Sequence, residues 1–443
     1  MTSQAQPNIE DIELSSFTFR PTSSASRPVP GTPSSETPFA PALPPVDSGR
    51  QAWLFLLSAT MIEALVWGLP YTVGVLHAYW TNTLFEGRGS GIVTLAATLQ
   101  TGLVYMSLGV FGPIFAALPR WERTMQAGGL LVASASLVAS AFVTQLTLAL
   151  YLPCAVLVFE WFHAKRGLAS GILYAGTGLG GALFPFIVAG LLSFGYKPAM
   201  ISIGLGWGIV AGICMIPIKR RVPIGRYDST EPRRERPSWK FMRSWIMWSA
   251  IATIGITSLG NFLPTVWLPT FAEEKNIKPS GVALVSIMNA VSIAGNTLLG
   301  ALTDRYPIHL VINFTFLTAA LACFVLWGFG TNIVALVAFV LVFGLVGLTS
   351  AALWTKMISI IARDESSAPA LIFPVFAFVR GIGNIIAGPI SSALLRVDAL
   401  RGKAGAYGFQ NYGVLLIFTG MTIISGSVTG MAFRGSSNVR APQ

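Results

Sequence analysis

Gly176 to Gly181 reads G-T-G-L-G-G, the G-x-G-x-x-G spacing that cradles a dinucleotide pyrophosphate where a strand turns into a helix. That chemistry also needs an acidic residue about 20 positions further on to hold the ribose. Between Trp161 and Tyr227 there is no Asp or Glu, and Gly167 to Tyr196 carries no charge at all. The glycines read instead as small residues that let helix backbones approach within a bilayer. Three more residues stand out because a charge inside an apolar run costs about 2.5–3.5 kcal/mol on insertion scales: Glu63, Lys356 and Arg380. A buried Glu can take up and release a proton, and Arg can fork onto a substrate carboxylate. Structural alternatives stand beside each. Ser58, Thr60 or water could hold Glu63, Asn384 or backbone carbonyls could hold Arg380, and Lys356 could snorkel to the surface. Asn261, Asn289 and Asn296 read either as cavity lining or as interhelical glue. Trp67, Tyr71 and Trp267 read either as contacts to a planar substrate or as packing.

The elements that must position these residues follow from composition. Of 443 residues 53% are hydrophobic and 11% charged, against about 25% charged in a soluble domain. A helix needs about 20 apolar residues to cross a bilayer. Such runs occur at 52–79, 90–118, 124–143, 145–162, 168–193, 199–218, 244–271, 280–302, 309–328, 332–362, 369–395 and 411–433, which predicts twelve crossings. The expected fold is all-α and polytopic, with a six-helix bundle at 48–218 and another at 244–434. A basic linker at 219–243 joins them, a Pro/Ser/Thr-rich leader at 1–47 reads as a disordered tail, and 435–443 is a second tail.

With both tails cytoplasmic, fifteen Lys or Arg fall in inward loops and seven in outward ones. The formal charge of +11 is therefore topological, as the positive-inside rule requires, and no nucleic-acid partner is needed. Cys154, Cys214 and Cys323 lie in apolar runs without metal-ligand spacing, and His77, His163 and His309 are dispersed. Nothing calls for a metal, a cofactor or a catalytic cluster.

The halves echo each other. Leu69-Pro70 matches Leu263-Pro264, and Gly178-Leu179-Gly180 matches Gly381-Ile382-Gly383, each glycine pair followed by a proline, Pro185 or Pro389. Gly176, Gly178, Gly181, Gly381 and Gly383 are read as helix-packing positions. Beyond these echoes, D-S-G-R-Q-A-W before the first crossing, F-E-W-F-H-A-K-R-G-L-A-S-G, G-A-L-T-D-R-Y after the eighth, and F-V-R-G-I-G-N-I-I-A-G-P-I-S in the eleventh resemble the major facilitator superfamily. Within it they resemble the fungal branch of the monocarboxylate porter-like family, over residues 47 to 434.

Four positions depart from that pattern. The loop after the second crossing reads A-L-P-R-W-E-R without the superfamily's Asp, so only Gly300, Asp304 and Arg305 keep that motif. Tyr71 stands where animal monocarboxylate carriers have a lysine, and Ser292 and Asn296 stand where they have Asp and Arg. The third and fourth crossings are compressed before Tyr151, either natively or through a gene-model error.

The resemblance implies a secondary carrier working by alternating access on a small organic anion or a fungal metabolite, with or without proton coupling. Its candidate substrate or proton residues are Glu63, Tyr71, Arg380, Asn384, Asn261 and Asn296, and its candidate cytoplasmic gate is Asp304, Arg305, Lys165 and Arg166. The expected setting is a monomer in the plasma membrane, or alternatively the vacuole. A non-transporting sensor on a carrier scaffold, or a membrane enzyme, are the other classes.

Overall fold

In hydrocarbon every backbone polar group must be satisfied within its own segment, so uncharged runs of this length fold as helices. The structure is a computed structural model and describes residues 48–72, 90–139, 165–218, 239–277, 281–363, 365 and 368–436. The first half of the chain forms α1 (Arg50–Tyr71), α2 (Ser90–Ala117), α3 (Glu122–Ala139), α4 (Arg166–Leu192) and α5 (Tyr196–Met215). The second forms α6 (Trp245–Asn261), α7 (Leu263–Glu274), α8 (Gly281–Arg305), α9 (Ile308–Leu321), α10 (Ile333–Val342), α11 (Trp354–Ala362), α12 (Pro369–Leu394) and α13 (Tyr412–Gly430).

Several crossings are composite. α6 and α7 are one crossing interrupted at Phe262, next to Pro264. α9 continues through a π turn at Ala322–Trp327. α10 passes through a π turn at Phe343–Gly347 and a tight turn at Ser350–Leu353 into α11. Among the described residues there is no strand, and nine segments are long and apolar enough to span a membrane. α2 adds a shorter apolar stretch, Thr101–Ile114, and α3 is 18 residues long. The expected fourth crossing and the compressed region before Tyr151 lie outside the described residues, as do 1–47, 219–238 and 437–443.

These helices belong to one compact unit, Leu43–Gln443, and the site depends on two of its seams. α4 packs between α1 of its own half and α8 of the other, while α12 packs between α6 of its own half and α2 of the other. Side-chain bulk is absent where the backbones meet. A Cβ on Gly171 would stand 3.1 Å from the Gly300 Cα, and one on Gly381 would stand 2.7 Å from the Gly102 carbonyl oxygen. Neither neighbour can rotate away, so both approaches require glycine. The remaining seam glycines sit alongside: Gly176 over Thr60 and Glu63 of α1, Gly178 over Asn289 and Ser292 of α8, Gly181 between Asn289 and Tyr71, and Gly383 against Ser258 of α6.

Candidate functional site

Of the three charges inside apolar runs, Glu63 and Arg380 lie near the same two tyrosines, Tyr71 and Tyr105. Glu63, fully buried in α1, accepts a hydrogen bond from Thr177 Oγ1 of α4 at 2.8 Å. The Thr60 hydroxyl is directed elsewhere, to the carbonyl of Leu56 at 2.8 Å and, across the helix pair, to that of Ile172 at 3.3 Å. The acid is thus steadied from the glycine-rich helix, because Gly176 lets α4 lie close enough for the next residue to reach it.

Arg380 enters from α12. Its guanidinium lies 5.2 Å from the Tyr105 ring of α2 and 5.6 Å from the Trp354 ring of α11, both within cation–π range. Arg380 Nη1 donates to Ser350 Oγ at 3.3 Å, and Asn261 Nδ2 donates to the same oxygen at 3.2 Å. Arg380 Nε is buried with no hydrogen-bond partner among the described residues. These groups border a small cavity with room for about one water, whose walls also present the hydroxyl-bearing residues Thr253, Thr257 and Ser258. Thr253 and Thr257 turn their own protons to Ser249 and Thr253 carbonyls, and Ser258 turns its proton to Ile254. Their oxygens keep acceptor capacity while the cation supplies the donors.

Both Tyr71 and Tyr105 lie within electrostatic reach of Glu63 and of Arg380. The Trp67 ring packs tilted against Tyr105, 4.5 Å between ring centroids, which ties α1 to α2. An acid from one half and a cation from the other therefore lie near the same two phenols, with Arg380 on the cavity wall and Glu63 outside that lining.

The other candidates separate. Asn296 donates to the Tyr174 carbonyl at 3.2 Å and the Ser292 carbonyl at 3.0 Å, inside the α4–α8 seam rather than on the cavity. Asn384 is buried one turn beyond Arg380 and lines a second cavity. At the basic end of the molecule, the Asp304 carboxylate accepts from the Gly167 and Leu168 backbone N–H groups at 2.9 and 2.8 Å, capping α4 from the opposite half. Arg166 donates to Ser359 Oγ of α11 at 3.2 Å, whereas Lys165 and Arg305 are exposed. Tyr105, Trp354, Ser350 and Thr177 were not singled out from sequence. Their signal was weak, since a lone aromatic or hydroxyl in an apolar run looks like packing.

The family model described as Major Facilitator Superfamily matches residues 124–388. The chain belongs to that superfamily. It is 25% identical over 417 residues to the MFS-type transporter pynF of Aspergillus niger, covering 88% of this chain and 90% of that one. To the MFS-type transporter pytF of Aspergillus terreus it is 26% identical over 285 residues, 59% and 92% of the two chains. To the Aspyridones efflux protein apdF of Emericella nidulans it is 24% identical over 384 residues, 81% and 75%. This superfamily member is a multi-pass membrane transporter of small molecules.

Proposed function

We propose that this transporter is a proton-coupled secondary carrier of an organic anion, in which Arg380 holds the acid group and Glu63 exchanges the proton. The observation that carries this reading is the Arg380 environment: a cation between two rings, with one buried N–H lacking a partner among the described residues, at the edge of a cavity rich in hydroxyls. A guanidinium so placed is only partly satisfied within the protein, and a carboxylate or enolate would complete it. Glu63 shares its electrostatic surroundings through Tyr71 and Tyr105, so neutralising one charge alters the field at the other.

In this reading the bundles 48–218 and 244–434, joined by the linker 219–243, rock about the central space. By the positive-inside rule the basic end and both tails face the cytoplasm, and the Asp304 cap together with Arg166 closes that side. The plasma membrane is the setting, the unit is a monomer, and the relative named for aspyridones efflux supports export of a metabolite.

Proteoliposome flux of labelled carboxylates, with and without a proton gradient, tests the assignment. Arg380→Ala should lower kcat/KM at least about tenfold, as expected for losing a charged hydrogen-bond donor. Glu63→Gln should abolish gradient-driven accumulation while exchange of substrate for substrate persists. Equal flux of every acid through folded Arg380→Ala would overturn the anion site.

A further inference from the structure

The crossing that runs from α10 into α11 departs from α-helical geometry over Phe343–Leu353, and Ser350 sits within that departure. In the π turn the Leu348 N–H reaches back to the Phe343 carbonyl at 3.2 Å, and in the tight turn the Ala352 N–H reaches back to that of Thr349 at 3.0 Å. Carbonyls deprived of their α-helical partners by such turns need other donors. The Thr349 hydroxyl lies 3.0 Å from those of both Leu345 and Val346. The departure is packed in place by α8, where Gly344 meets the Met288 carbonyl and Gly295 meets the Leu345 carbonyl. Ser350 and Trp354, four residues apart, both meet Arg380 of α12: the ring lies 5.6 Å from the guanidinium, and the hydroxyl oxygen accepts from Nη1 at 3.3 Å.

The rings and the hydroxyl act differently on the cation. The quadrupole of Tyr105 or Trp354 draws a guanidinium to the ring face, which sets its place but not its rotation in its own plane. A hydrogen bond is directional. Among the described residues, Ser350 supplies the hydrogen bond that Arg380 makes, while Nε is buried without a partner. Ser350 is itself anchored: it is buried, and its oxygen also accepts from Asn261 Nδ2 of α6 at 3.2 Å. With both lone pairs engaged, that oxygen cannot take a third donor without releasing Asn261 or Arg380.

We infer that Ser350 is a positioning residue for anion binding: it fixes the rotation of the Arg380 fork beside its two rings and so decides which edge of the fork an acid meets. A planar carboxylate pairs with two N–H groups at once only where that edge is aligned with it. The role is therefore read in affinity for acids and not in turnover. The inference rests on the reading of Arg380 as the anion site.

The test is the KM for substrate-for-substrate exchange of labelled propionate, benzoate and phenylbutyrate by the full-length protein in proteoliposomes, with the thermal unfolding midpoint of each variant measured alongside. Ser350→Ala should raise KM about five- to tenfold, as expected when a charged donor loses its acceptor, and keep kcat within about twofold. Ser350→Thr, which keeps the hydroxyl, should bring KM back to within about twofold of the unaltered protein. Ser350→Cys, near in size and a much weaker acceptor, should behave as Ser350→Ala and replaces it if alanine prevents folding. In an Arg380→Ala background, where KM is already raised, Ser350→Ala should add no more than about twofold, because the serine acts through the guanidinium. Raised KM in Arg380→Ala beside unchanged KM in Ser350→Ala would overturn the positioning role alone. So would a fall in kcat and thermal midpoint at constant KM, which is what packing by itself predicts. Unchanged KM in Arg380→Ala, or exchange of none of the three acids, would overturn the anion site and the role of Ser350 with it.

Discussion

Where α4 meets α8, glycine faces glycine at Gly171 and Gly300; where α2 meets α12, it does so at Gly102 and Gly381. The centres of the two seams are built alike, and their basic ends are not. At the first, Asp304 reaches across to two backbone N–H groups at the start of α4. At the second, the turn after α2 reads L-P-R-W, setting Arg120 where the sequence echo has Asp304. A cation there has the wrong sign for the positive end of α12. That helix begins instead with Pro369 at its first position, and the Ala368 carbonyl accepts from the N–H groups of Leu371 and Ile372. Close packing and latching are thus separable: both seams have the first, and among the described residues an acid from the opposite half caps α4 but not α12.

The largest effect should come from filling either centre. Gly171→Leu and Gly381→Leu each drive a side chain into backbone, and overpacking of that kind costs about 1–3 kcal/mol or more. Both should lower the thermal unfolding midpoint by several degrees. Gly128→Ala, where no atom lies within 4 Å, should leave it unchanged or raise it. If only one of the central replacements is harmful, the likeness of the seams is broken.

Asp304→Asn should come next. It keeps the shape of the cap while removing its charge, a change worth about 1.5–3 kcal/mol when charged hydrogen bonds weaken. Alkylation of Ser359→Cys, in a background with the native cysteines replaced, should then speed up roughly ten- to a hundredfold as the basic end opens more often. Arg120→Asn in the same background should do little, since that seam lacks the cap. Equal responses to the two changes would show that both ends latch.

The smallest effect belongs to Arg166→Ala, read with a hydrophilic label at a neighbouring site so that Ser359 stays intact. One hydrogen bond to a hydroxyl is worth about 1 kcal/mol, so opening should rise no more than several-fold. A change as large as that of Asp304→Asn would move the latch from the acid to the arginine.

The sequence by itself determined the helical class and the positions of the apolar runs, because an uncharged stretch of about 20 residues has few other ways to satisfy its backbone. It also singled out Glu63 and Arg380, since a charge inside such a run is conspicuous for its cost. What surrounds those charges was not legible. Helical periodicity says which residues share a face, not which helix that face will meet, so Tyr105, Trp354 and Ser350 gave no sign that they would converge on Arg380. For the same reason Asn296 could be read as cavity or seam until the Tyr174 carbonyl was placed beside it. Only tertiary structure could decide these points, because each depends on a partner on another helix, for Tyr105 and Asn296 more than a hundred residues away in the chain, and close helix approach rests on glycines whose purpose is visible only once two backbones touch.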